Sequence, residues 1–229
     1  MYFAPMVRLQ QLSLVQFRNY IQKQFVFTDR IVGIVGSNGT GKTNILDAVY
    51  YLSFTKSYFS RPDAQNVHHA HEGMRLEGTY DIKGDTVPIT CILRENLKKE
   101  FYFDQEPYAK LSQHIGKVPC VMIAPDDVQI ITGSSEERRK LMDSLLSQMH
   151  PTYLRHLIQY NKVLIQRNSL LKNGAESGYI DPILLETINE QLIENGNIIY
   201  TYRKELINKY LPEILSLYLK IAGQKDEID

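Results

Sequence analysis

The clearest chemistry in this 229-residue sequence lies in one short stretch. Gly36, Ser37, Asn38, Gly39, Thr40, Gly41, Lys42 and Thr43 fit the pattern G-x-x-x-x-G-K-[ST]. Glycines at these spacings let a backbone turn its N–H groups inward around phosphate oxygens. A helix starting near Lys42 adds partial positive charge at its N-terminus. In such a loop Lys42 reaches the β- and γ-phosphates, and Thr43 offers its hydroxyl to Mg2+. The alternative is a Gly-rich turn without function. Against it stands the context: an apolar run before the loop (RIVGIVG, 30–36) and a helical pattern after it (NILDAVYYLSF, 44–54).

Other residues have a chemical reading beside a plain one. Arg18 and Asn19, in QFRNY (16–20), precede the loop by about twenty residues. They form either a turn between two strands or a contact to ribose or phosphate. Asp126 and Asp127 follow an apolar run, VPCVMIA (118–124), and suit a sheet edge facing a metal-bound water or a simple turn and cap. Between 138 and 172 there are seven Lys and Arg against one acid, whereas 173–229 holds five bases against ten acids. Arg138, Arg139, Lys162 and Arg167 are therefore candidates for DNA or partner contacts. Two antiparallel helices of opposite charge would give the same pattern. His68, His69 and His71 have only Glu72 as a nearby carboxylate, so a solvated loop accounts for them better than a metal site. Tyr50 and Tyr51 read as packing residues.

The elements that must hold these groups follow from periodicity. Strands are expected at 8–16, 24–27 and 30–36, the last buried on both faces because its apolar run is continuous. A polar loop is expected at 55–74, strands near 75–81, 87–94 and 100–104, and a further buried strand at 118–124. Helical periodicity then takes over at 134–149, 151–172 and 182–222, with Pro151 at an N1 position and Lys172-Asn173-Gly174 as a terminator. We expect an α/β lobe at 1–132 and an all-helical region at 133–229. Hydrophobic residues at 43% and charged residues at 23% are ordinary for a globular chain, and a net charge of zero excludes a strongly basic protein overall. Cys91 and Cys120 lack metal-ligand spacing and fit a reducing compartment. With neither a signal sequence nor a membrane-length apolar run, a soluble cytoplasmic protein is expected.

Four blocks in order resemble the RecF family, bacterial DNA replication and recombination-repair ATPases: LVQFRNY, IVGSNGTGKTNILDAVYYLS, APDDVQIITGSSEERRKLMD and YNKVLIQRNSLLK. The family resembles the chromosome-maintenance branch of ABC-type ATPases. The resemblance implies an α/β P-loop NTPase head, here its N-terminal half, with an inserted all-helical arm. It implies ATP and Mg2+ as ligands and ATP-dependent homodimerisation. It also implies binding of single-stranded DNA or single-/double-strand junctions, work with RecO and RecR in loading recombinase at gaps, and support of the SOS response. Asp126, Asp127 and Gln129 become candidates for the neighbourhood of the γ-phosphate. No S-G-G-x signature and no second apolar strand ending in Asp-Glu is found in the sequence. An N-terminal portion of a longer protein is therefore expected, with weak ATPase activity in the complete protein and none assigned to this chain alone. The runner-up is a catalytically inactive P-loop scaffold or DNA clamp. A small P-loop kinase is disfavoured because no arginine-rich lid follows the helix.

Overall fold

Alternation in the first strand sets the sheet. In β1 (Val7–Phe17) Leu12, Leu14 and Phe17 are fully buried. Gln16 leaves extended geometry with φ 54°, so Phe17 rather than Gln16 takes the next core position. β1 folds back on β2 (Tyr20–Val26), and Phe17 pairs with Tyr20, so Arg18 and Asn19 are the two-residue turn of a hairpin. The computed structural model describes residues 7–60 and 62–222, and these divide into two compact units at Ile123/Ala124.

The first unit is a six-stranded antiparallel sheet in the order β2-β1-β3-β4-β5-β6, completed by β3 (Met74–Ile82), β4 (Asp85–Leu93), β5 (Lys99–Phe103) and β6 (Glu106–Pro107). One helix, α1 (Lys42–Phe54), packs on it through Ile45, Ala48, Tyr51 and Leu52, spaced to form one stripe. Gly78 on β3 makes room for this approach, since a Cβ there would stand 2.9 Å from Leu52 Cδ1. His114, fully buried, closes the far end of α1: its Nε2 lies 2.6 Å from the Leu52 carbonyl. A carbonyl only accepts, so Nε2 carries the hydrogen and Nδ1 is left to accept from the Tyr108 hydroxyl at 3.3 Å.

Two expected strands are absent. The runs 30–36 and 118–124 form no ladder, and Ile31, Val35, Val121 and Ile123 are 87%, 91%, 70% and 83% exposed. Only Ile34 and Val118 from these runs join the sheet core. Continuous apolar runs signal strands flanked on both sides, and the described residues supply no flanking strand. The segment 55–74 is also tighter than a solvated loop, because Thr55, Ser57, Asn66 and His68 are buried within it.

The second unit is helical. A short helix α2 (Gln129–Thr132) leads into α3 (Ser135–Met149), whose N-cap Ser134 accepts from the Glu136 N–H. α4 (Pro151–Ser177) and α5 (Pro182–Ala222) complete it. Leu146, Tyr153 and Ile199 form its small core. Beside them Asp143 accepts from both Arg203 Nη2 at 2.6 Å and the Tyr153 hydroxyl. α4 runs through the expected Lys172-Asn173-Gly174 terminator and ends at Gly178 with φ 75°. Gly174 is buried because the returning chain crosses it: a Cβ there would meet Ile180 Cγ1 at 2.1 Å. No described helix is long and apolar enough to cross a membrane.

Candidate functional site

The loop 36–43 lies ahead of α1, and its conformation needs glycine. Gly36, Gly39 and Gly41 have φ of 151°, 82° and 96°, the last two in the left-handed range that side chains disfavour. Gly41 is the N-cap of α1, with no side-chain cap, so the helix opens directly onto the loop. The Lys42 ammonium folds back over the loop and donates to the carbonyls of Gly36 (2.9 Å) and Ser37 (2.8 Å). Thr40 Oγ1 donates to the Ser37 carbonyl at 2.9 Å. Thr43, on the first turn of α1, is exposed, as are Ser37, Asn38 and Gly39. A lysine ammonium folded over a glycine-rich loop at an open helix N-terminus can bind phosphate.

The hairpin turn packs against this loop from behind. Asn19 Nδ2 donates to the Thr40 carbonyl (3.2 Å), and its Oδ1 accepts from Asn44 Nδ2 (2.7 Å). A Cβ on Gly41 would sit 2.5 Å from the Asn19 amide atoms, so Gly41 and Asn19 fit only as a pair. The Tyr20 hydroxyl donates to the Gly41 carbonyl at 3.2 Å. Arg18, the other turn residue, points to a carboxylate: its Nη2 lies 2.9 Å from Asp47 Oδ2 and 3.0 Å from Ser57 Oγ.

Sequence reasoning missed Asp47. It is fully buried on α1 and accepts from Arg18, from Ser57 Oγ at 2.8 Å and from the Tyr58 N–H at 2.8 Å. An acid inside an apolar helical stripe was the available signal, but its partners lie 29 and 10 residues away. His68 stacks on His69 with centroids 4.4 Å apart, near His71 at 5.3 Å. Burial first, and then the two neighbouring imidazoles, lower the His68 pKa. Among the described residues no cluster of three or more His, Cys, Asp and Glu could hold a metal ion. A Mg2+ at Thr43 would thus take most of its ligands from phosphate oxygens and water, which suits its chemistry.

In the helical unit the other expected residues are mostly occupied. Arg138 Nη1 donates to the carbonyls of Ile130 (3.2 Å) and Gly133 (3.4 Å), and Arg139 Nη1 to Ser135 Oγ (2.8 Å). Arg167 Nε donates to Asn189 Oδ1 at 2.8 Å, and Lys162 is exposed on α4. Asp127 caps the turn 125–128 by accepting from the Ala124 N–H at 2.6 Å, while Asp126 and Gln129 are exposed.

An antiparallel sheet carrying a G-x-x-x-x-G-K-T loop at the head of its packed helix is the architecture of an ABC-type P-loop ATPase head. Residues 8–107 match the RecF/RecN/SMC N terminal domain. Within that class the chain is similar to RecF proteins over nearly its whole length. It is 39% identical over 220 residues to the DNA replication and repair protein RecF of Parabacteroides distasonis, covering 96% of this chain and 59% of that protein. It is 40% identical over 222 residues to RecF of Flavobacterium johnsoniae, covering 97% and 62%. A solved structure of the recombination mediator protein RecF with ATP, in the RecFOR pathway, superposes with a TM-score of 0.89 at 27% identity, covering 97% of this chain and 60% of that one. The chain thus spans about three-fifths of the length of the relatives it matches.

Proposed function

We propose that this chain is the nucleotide-binding part of an ATP-dependent DNA-binding protein of recombinational repair and replication. The observation that carries the reading is the Lys42 ammonium, held over the carbonyls of Gly36 and Ser37 at the open N-terminus of α1. Gly36, Ser37, Asn38, Gly39, Thr40 and Gly41 supply backbone contacts to ATP phosphates. Lys42 neutralises their charge, Thr43 ligates Mg2+, and Asn19 and Arg18 line or support the loop. Residues 1–132 act as the head and 133–229 as the helical arm. Arg138, Arg139, Lys162 and Arg167 offer contacts to DNA or a partner protein, with Lys162 the most accessible in charge because Arg138, Arg139 and Arg167 already donate to protein atoms.

The family's named role in replication and repair and the ATP complex of a relative support this reading. On it, the complete protein dimerises with ATP, binds single-stranded DNA or its junctions with duplex, acts with RecO and RecR to load recombinase, supports SOS induction and works in the cytoplasm. The test is titration of ATP–Mg2+ into this chain and into the complete protein, each beside Lys42→Ala. Binding in both, lost in Lys42→Ala, is the expected result, with ATP-dependent association in the complete protein only where Lys42 is present. Nucleotide affinity unchanged by Lys42→Ala, or absent throughout, overturns the reading in favour of an inactive P-loop scaffold.

A further inference from the structure

We propose that Asp47 is a positioning residue for the phosphate loop, acting through Arg18 and Asn19 rather than by touching nucleotide. The inference rests on the nucleotide-binding reading of the loop. A carboxylate buried in an apolar helical stripe is unfavourable unless its partners hold it, and an apolar residue of similar size would pack there without that cost. Asp47 is fully buried, and each bond it accepts ties α1 to another segment. Ser57 Oγ and the Tyr58 N–H bring in the chain that follows α1, and Arg18 brings in the hairpin turn.

The turn needs such a hold. Arg18 has φ 54°, a conformation that a bulky residue adopts only when its surroundings over-determine it. Its backbone N–H is fixed to the Asn66 carbonyl at 2.8 Å, and its guanidinium to Asp47. With Arg18 clamped at both ends, Asn19 has one place to go. Its amide seals the Thr40 carbonyl and Asn44 while filling the space above Gly41. Tyr20 follows with its bond to the Gly41 carbonyl. Three consecutive residues thus transmit the position of a buried carboxylate to the two peptide groups at which the loop becomes helix. Those peptide groups set the direction of the N–H groups a phosphate would meet. Released from Asp47, Arg18 relaxes toward ordinary backbone geometry, Asn19 loses its register, and the loop samples arrangements that do not bind.

The test is a titration of a fluorescent ATP analogue with Mg2+ into the chain carrying Asp47→Asn, Arg18→Ala, Arg18→Lys, Asn19→Ala, the Asp47→Asn/Asn19→Ala pair, and Lys42→Ala. Asp47→Asn, Arg18→Ala and Asn19→Ala are each expected to weaken binding about tenfold, one step on the affinity scale. The double variant should be no weaker than the weaker single, because both changes break one chain of contacts. Arg18→Lys, which keeps a donor for Asp47, should fall between wild type and Arg18→Ala. A merely structural role would lower the melting temperature without this non-additivity in affinity. Wild-type affinity in Asp47→Asn, or fully additive losses in the pair, overturns the proposal. If Asp47→Asn does not fold, Arg18→Ala, alone and paired with Asn19→Ala, carries the same comparison from the other end of the link. Should Lys42→Ala abolish binding while the Asp47 and Arg18 variants bind normally, only the positioning role falls. Should no variant differ from a non-binding wild type, the nucleotide reading falls first and takes this role with it.

Discussion

Acid should destabilise the sheet unit through one imidazole. His114 is fully buried among Phe101, Phe103 and Tyr108, with Nε2 on the Leu52 carbonyl. Burial drives its pKa down to about 4; the Leu52 carbonyl opposes the shift, and the Lys117 ammonium adds to it. The sign follows from which state binds the proton more readily. Unfolded His114 titrates near 6.5, so between that value and about 4 the unfolded state holds more protons than the folded one. The neutral-ring stability is therefore complete above pH 6.5 and is lost as pH falls toward 4. Linkage gives a loss of roughly 2 kcal/mol between pH 8 and pH 5, and about 3 kcal/mol once both states are protonated. With a urea slope of about 2 kcal/mol per molar, the midpoint at pH 5 should fall by about 1 M. The assay is urea unfolding from pH 8 to 5 on wild type and His114→Gln, whose amide retains a donor for Leu52. His68, whose pKa is also lowered, titrates in both proteins, so the difference between their slopes isolates His114. Parallel pH profiles, or an NMR titration placing the His114 ring near 6.5, would refute this account.

Gly41→Ala should weaken ATP binding and cost about 1 kcal/mol or more of stability, because it puts a Cβ at φ 96° and 2.5 Å from the Asn19 amide. Pairing it with Asn19→Ala should recover the steric part, which a four-protein comparison of ATP affinity and melting temperature would detect. Gly174→Ala should destabilise the helical unit by about 1–3 kcal/mol through overpacking on Ile180, read by circular-dichroism melts. Asp143→Ala should cost about 1–3 kcal/mol in the same assay by leaving Arg203 and the buried Tyr153 hydroxyl without their shared acceptor.

What the sequence revealed depended on how far apart the cooperating residues lie. The loop 36–43 was legible because apolar run, glycines, lysine and helix are contiguous, and the first strand because its alternation is local; the second, expected at 24–27, begins at Tyr20. The runs 30–36 and 118–124 were misread for a physical reason. An unbroken apolar run indicates a segment suited to burial in a sheet, but pairing requires neighbours, and Ile31, Val35 and Val121 have none among the described residues. The end of α4 was misplaced because a glycine inside a helix resembles a terminator. Gly174 is small for the sake of Ile180, six residues on, while Gly178 supplies the left-handed turn. Asp47 was passed over because its meaning depends on Arg18 and Ser57, which no spacing rule connects to it. The His68 neighbourhood likewise reads as polar loop until the chain folds over it.

The loop 36–43 is held unequally on its two sides. Downstream, α1, Asn19 and Tyr20 fix it, whereas the run 30–36 just upstream has no ladder bonds. Backbone without such bonds retains conformational entropy, and a ligand that orders it must overcome roughly 1–2 kcal/mol per residue. Any segment that paired with 30–36 would bear that ordering cost in advance, and nucleotide would then bind more tightly without a single new contact to phosphate. Thermodynamic reciprocity requires the converse: nucleotide seated on the loop would strengthen that pairing by the same factor.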